Sequence, residues 1–177
     1  MSWVRCLKSL GNKNIGSETM TFDEIIDNVL ESEGGYVNDK NDAGGETNMG
    51  ISKRAYPDLD IKNLTRKEAK QLYYEDYWTP SKADQLPTQL REVYFDMVVN
   101  MGARNAGKIM QRACKAKGCD IEVDGIVGSG TRKAIKSCNL ENDRVKAYRL
   151  KYYCDLVNKK PEQERFFYGW VKRSLEV

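Results

Sequence analysis

The chain has 177 residues, of which 40% are hydrophobic and 31% charged, the balance of a folded globular protein with a real core and not of a disordered one. Its 29 Lys and Arg stand against 26 Asp and Glu with no histidine, which excludes Ser/His and Cys/His nucleophilic catalysis and leaves acid–base chemistry to carboxylates. No apolar run is long enough to span a bilayer. Cys6, Cys114, Cys119, Cys138 and Cys154 lack CxxC spacing, so they are expected as reduced, mostly buried thiols, with no metal and no cofactor.

In residues 1–20, Trp3, Val4, Leu7 and Leu10 share one face of a short helix that Arg5 and Lys8 interrupt. There is no secretory h-region, and a docking arm without stable membrane insertion is expected. The first strong helix follows. Phe22, Ile25, Ile26, Val29 and Leu30 recur at helical spacing, Thr21 and Glu24 form a capping box, Met20 and Ile25 suit a hydrophobic staple, and Gly34 with Gly35 stops the helix. Glu33 falls on the apolar stripe at the last turn. A carboxylate there is poorly solvated, and desolvation raises its pKa toward values suited to proton donation. Taken alone, Glu33 equally fits a fraying helix end facing solvent.

A polar loop carries Asp39, Asp42 and Glu46 and ends at Thr47, Asn48 and Gly50, so a second carboxylate is available across a sugar ring, as glycosidic hydrolysis needs. Asp39, Asn41 and Gly44 match the first, third and sixth positions of an EF-hand, but Ala43 and Gly50 occupy the fifth and twelfth, so calcium is not expected.

A short helix is expected over 51–56, ended by Pro57. Thr65 and Glu68 form a second capping box opening a helix that runs to Pro80, with Ala69, Leu72, Tyr73 and Tyr77 inward. Tyr73, Tyr74, Tyr77 and Trp78 are chiefly core material, with Trp78 the candidate for stacking on a sugar. Thr88–Gly102 reads as a central buried helix on Leu90, Val93, Tyr94, Met97, Val98 and Met101. Asp96 and Asn100 lie one turn apart on a neighbouring face, lining a cleft or forming a solvated edge.

Residues 106–117 form another helix with Ile109, Met110, Ala113 and Cys114 inward. Ile121 alternating with Val123 suggests a short extended segment, and Ser129 or Thr131 suits a helix cap. Helix 143–158 carries Val145, Tyr148, Tyr152 and Leu156, and Pro161 opens a last helix anchored by Phe166, Phe167, Trp170 and Val171. Charge divides along the chain. Residues 1–100 hold 12 Lys and Arg against 17 Asp and Glu, whereas 101–177 hold 17 against 9. A basic half beside an acidic half suits an anionic polymer held against a carboxylate site.

The stretch EGGYVNDKNDAGGETNMGIS, residues 33–52, resembles the signature of the family 108 glycoside hydrolases, lysozyme-like muramidases found as phage endolysins and in related bacterial secretion systems. The spacing from Glu33 to Asp42 and Thr47 is also similar to the Glu, Asp, Thr arrangement of T4-type lysozymes. The resemblance implies Glu33 as the acid, Asp42 as the group that orients or activates the attacking water, and Thr47 as a holder of that water, with Tyr36, Asn48, Trp78 and Asn100 as substrate-binding candidates. Lys40 and Ala43 stand where the family often has Pro. FDMVVNMG, residues 95–102, resembles the family's FDxxVNxG pattern. The segment from Met110, with Asp124, Gly125, Gly128 and Thr131 as a DGxxGxxT turn, and the ending RFFYGWVKR resemble the peptidoglycan-binding module that accompanies these enzymes.

These resemblances imply a mainly α, lysozyme-like fold of two lobes with a cleft: an arm over 1–20, a catalytic lobe over 21–105 and a helical peptidoglycan-binding module over 106–177. They imply a muramidase cleaving the β-1,4 bond between N-acetylmuramic acid and N-acetylglucosamine, by inversion as in the T4-type enzymes. Its partner is bacterial peptidoglycan. Without a signal peptide it would be made in the bacterial cytoplasm and act in the periplasm or cell wall, exported by a holin or a secretion system. Two other classes fit the composition: a non-catalytic peptidoglycan-binding protein, and a basic nucleic-acid binder, for which no motif is present.

Overall fold

The computed structural model describes residues 20–38 and 45–177. The readings made for the N-terminal arm, for Asp39 and for Asp42 fall outside the described residues.

Helix α1 runs Phe22–Glu33. Its capping box is formed as expected: the Glu24 amide donates to Thr21 Oγ1 at 3.4 Å and the Thr21 amide to Glu24 Oε2 at 2.7 Å, pairing donors that a helix start leaves open. Ile25, Ile26, Val29 and Leu30 are buried, one stripe at 3.6-residue spacing.

The chain then returns as a hairpin in which β1 (Thr47–Asn48) pairs antiparallel with β2 (Ile51–Ser52). Met49 and Gly50 make the turn with φ 49 and 76, the left-handed pair that matches the twist of a two-residue hairpin. The short helix expected over 51–56 is therefore corrected. The two positive-φ residues send Ile51 back beside Asn48 as a strand, with its side chain buried.

Helix α2 (Arg66–Tyr73) opens on the second capping box, Thr65 with Glu68. It passes into a π-helical turn over Tyr74–Trp78 and ends in α3 (Thr79–Ser81). The Trp78 indole lies 5.2 Å from the Phe22 ring and 5.1 Å from that of Phe95, closing the core under α1. Helix α4 (Thr88–Met101) is buried through Val93–Val98, so it is the central helix that the periodicity announced.

Gly102 alone separates α4 from α5 (Ala103–Lys115). Residues 119–128 form a loop that bends at Asp124–Gly125 and joins no strand, and α6 (Ser129–Ser137), α7 (Asn142–Lys159), a 3-10 turn over Pro161–Phe166 and α8 (Phe167–Glu176) complete the chain. One contiguous cluster of buried apolar side chains extends from Ile25 on α1 to Val145 on α7.

The DGxxGxxT turn is built into that core. Asp124 Oδ1 accepts from the Ile126 amide at 2.8 Å and from Gln111 Nε2 at 2.6 Å, while Gln111 Oε1 accepts from the Gly125 amide at 2.8 Å. These bonds, the Ile126 amide first, hold the Asp124 carboxyl below the usual range. Thr131 donates to the Ile126 carbonyl at 3.1 Å and does not cap α6. A Cβ on Gly107 would stand 2.3 Å from the Gly125 carbonyl oxygen, so α5 and this turn meet backbone to backbone.

Cys114 is buried, Cys119 and Cys138 are partly so and Cys154 is exposed, all with free thiols. Burial pushes the Cys114 thiol up to about 12. The apolar anchoring expected of the last helix is partial. Phe166 is 43% exposed, Phe167, Trp170 and Val171 are half-buried, and Ser174 is the buried residue of α8. Trp170 stacks on Tyr153 at 4.9 Å, and Arg173 adds ion pairs to Asp96 and Glu33. No helix among the described residues is long and apolar enough to cross a membrane.

Candidate active site

Glu33 closes α1, one residue before Gly34 turns the chain with φ 79. Its side chain is 21% exposed and does not point into solvent: Oε1 meets Arg173 Nη1 of α8 at 2.7 Å. The surroundings expected for this carboxylate were apolar; it is instead paired with a guanidinium. On its other side stands the hairpin turn. A Cβ on Gly50 would be 2.9 Å from Glu33 Oε2 and 2.5 Å from the Tyr73 hydroxyl, so only a glycine lets the turn approach this closely. Tyr73 donates to the Met49 carbonyl at 3.1 Å, which ties α2 to the same turn. Burial, and after it the negative charge of Glu33, raises the Tyr73 phenol well above its ordinary range and keeps it protonated.

Behind Glu33 a line of charges enters the core. Arg173 reaches Asp96 Oδ1 with Nη2 at 2.8 Å and Nε at 2.9 Å. Asp96 Oδ2 faces Arg149 Nη2 of α7 at 2.6 Å, and both side chains are within 1% of full burial. Arg149 Nε donates to the Tyr153 hydroxyl at 3.3 Å, and that hydroxyl donates to Asn100 Oδ1 at 2.6 Å. The four charges alternate in sign and cancel, the condition on which buried ions are tolerated. Burial works against the charge on Arg173, but Asp96 and then Glu33 overcome it and raise its pKa further.

The anticipated substrate-binding residues separate in space. Tyr36 is 40% exposed beside the loop and donates to Glu46 Oε2 at 3.0 Å. Thr47 is partly exposed in β1, its backbone bonded in both directions to Val37 at 2.8 Å. Asn48 is turned inward and donates to the Ile61 carbonyl at 3.1 Å, which fastens the hairpin to the core. Trp78 is 5% exposed, its indole packed beside Phe22 and Phe95, in the core role expected first for this aromatic group. Asn100 lines a groove of about 730 Å³ between α1, α4 and α8, together with Asn28, Ser32, Glu92, Trp170 and Arg173. Asp96 is not the solvated edge its polarity suggests, being 1% exposed.

Arg173, Arg149, Tyr73 and Gly50 were missed as members of this constellation. Arg149 had a readable signal, since it lies one turn beyond Val145 on the inward face of α7. Arg173 lies one turn beyond Trp170 and had no such prominence among the many basic residues of the C-terminal half.

Comparison with known proteins agrees with this geometry. Residues 26–102 match the family model Glycosyl hydrolase 108, and residues 105–175 match that of a Predicted Peptidoglycan domain. The solved structure of Brucella abortus SagA superposes with a TM-score of 0.70 at 26% identity, over 88% of this chain and 90% of that one. No curated protein matches the chain. The mainly α, lysozyme-like fold and the two family matches support a class, a glycoside hydrolase directed at peptidoglycan. Within that class, residues 26–102 are similar to the glycosyl hydrolase 108 family.

Proposed function

We propose that this protein is a muramidase that hydrolyses the β-1,4 bond between N-acetylmuramic acid and N-acetylglucosamine in bacterial peptidoglycan. The observation that carries the proposal is Glu33: a carboxylate fixed by an arginine, overlain by a glycine turn, in the region matching glycosyl hydrolase 108. Arg173 occupies Oε1, so Oε2 is the oxygen that delivers the proton to the glycosidic oxygen as the bond to the anomeric carbon breaks. Asp42 takes a proton from the attacking water, whose oxygen bonds to the anomeric carbon from the opposite face, giving inversion. Thr47, held between Val37 and Ser52, positions that water. The two carboxyls then exchange a proton through solvent to restore the starting state.

In this reading residues 21–105 form the catalytic part and 106–177 the wall-directed part, and the enzyme works in the periplasm or cell wall after passage by a holin or a secretion system. It serves bacterial lysis as an endolysin. The test is digestion of purified peptidoglycan followed by mass spectrometry of the products. Wild-type protein should release fragments with reducing N-acetylmuramic acid ends, and Glu33→Gln should lose at least ~100-fold in rate while melting like the wild type, the range of a lost general acid. Anhydro ends, or near-normal release by Glu33→Gln, would overturn the assignment.

A further inference from the structure

The structure assigns the C-terminal region a part in the chemistry: Arg173 on α8 is a positioning residue for Glu33, and Asp96 and Arg149 are what aim it. This rests on Glu33 being the acid of the proposed reaction, and it gives residues matched by a Predicted Peptidoglycan domain a role other than gripping the wall.

The first support is the geometry of the guanidinium. Its Nη1 lies 2.7 Å from Glu33 Oε1, while Nε donates to Asp96 Oδ1 at 2.9 Å with Nη2 2.8 Å from the same oxygen. A planar fork with fixed donor directions transmits orientation from one carboxylate to the other, which a lysine ammonium does not. Asp96 is in turn held by Arg149 at 2.6 Å inside the protein, so the direction of Glu33 is referred back to the core and not to a mobile surface group.

The second support is the way α8 is attached. Its apolar side chains Phe167, Trp170 and Val171 are only half-buried and Tyr168 and Leu175 are exposed, while Arg173 is only 14% exposed. Were the helix present only to cover the core, its buried face would be apolar. Its best-anchored long side chain is instead the one that reaches Glu33.

The third support is chemical. A catalytic carboxyl held in line with the bond that breaks speeds the step itself, and the group that holds it makes no contact with bound substrate. Arg173 therefore acts on turnover more than on substrate affinity.

The test measures kcat and KM on soluble glycan strands prepared from peptidoglycan, using the full-length chain with rates corrected for the folded fraction. Arg173→Gln is expected to lower kcat by ~30-fold or more, within the range for a misaimed catalytic group, with KM changed by less than about twofold. Arg173→Ala should regain part of its kcat when guanidinium is added at tens of millimolar, below denaturing levels, a recovery that a packing defect would not show. Asp96→Asn should fall in the same parameter, by ~5–20-fold, because the guanidinium loses its charged anchor. If Arg173→Gln does not fold, Arg173→Lys is read in the same way and should lose about tenfold in kcat, because the ammonium cannot reproduce the fork. Full kcat in the folded Arg173 variants, with Glu33→Gln inactive, overturns the positioning role and leaves the hydrolase reading intact. Activity in Glu33→Gln overturns the hydrolase reading itself.

Discussion

Gly50 lies against the carboxylate of Glu33: a methyl group at residue 50 would stand 2.9 Å from Oε2 and 3.0 Å from Cγ of that side chain. The φ of 76 at Gly50 adds a backbone cost, about 1–2 kcal/mol for a residue with a Cβ. Gly50→Ala should therefore depress activity beyond what its stability loss explains, since Glu33 and the Tyr73 hydroxyl, 2.5 Å from the added carbon, must both move. Thermal melts alongside muropeptide release measure the two effects. A variant destabilised by that amount but fully active would show that the turn does not bear on the acid.

The partner carboxylate can be sorted by substitution. Asp42→Asn is expected to lower turnover by ~10–100-fold without abolishing it, the usual worth of a general base. Asp39 and Glu46 are its rivals by sequence, and Glu46 Oε2 accepts a hydrogen bond from the Tyr36 hydroxyl at 3.0 Å. Glu46→Gln keeps an acceptor there and should cost less than about threefold in turnover, the range of surface changes. A silent Asp42→Asn with a crippled Glu46→Gln would exchange the two roles.

Trp78 packs between the rings of Phe22 and Phe95. Trp78→Ala should cost about 3–5 kcal/mol in urea unfolding through the cavity left behind. KM measured on the folded fraction should stay unchanged. A selective rise in KM with normal stability would restore the sugar-stacking role read from sequence.

Acid should loosen the contact between α1 and α2. Asp27 accepts from Arg66 Nε and Lys70 Nζ, each at 3.0 Å, and these bonds, Arg66 first, hold its carboxyl below the usual range. A folded-state pKa below the unfolded value of about 3.9 gives stability that is complete above that pH and lost as pH falls through the folded value. The gap in urea midpoint between wild type and Asp27→Asn should therefore be present at neutral pH and close as pH falls through the folded-state value of Asp27. The side chains are exposed by 48% and 41% for Arg66 and Asp27, so the gap should be small and shrink in high salt. A gap that persists at low pH would point to packing, not charge.

How much of this was legible follows from what each signal encodes. Periodicity and capping boxes are local, so α1, α2 and α4 were readable from Thr21, Thr65 and the stripe Leu90–Met101. The hairpin was not, because Asn48 and Ile51 form it through two positive-φ residues, one of them Met49, a residue type with no turn preference. Glu33 was legible as a candidate because helix and glycine pair are contiguous. Its partner Arg173 lies 140 positions further on, and the Arg149–Asp96 pair joins α7 to α4; nothing in a linear pattern reports which of 29 basic residues comes home to a carboxylate. Asp96 was left between a cleft and a solvated edge for the same reason, since a charged residue on a helix flank is buried only if a distant cation meets it.

Gly102 is the whole of the connection between α4 and α5, and the two family matches end at 102 and begin at 105. A seam this narrow offers no tether along which the halves could be exchanged. Grafting a foreign wall-recognition segment behind residue 102 would also discard the cations facing Glu33 and Asp96, so recombination at that seam, in nature or in an engineered lysin, has to carry matched counterions across it.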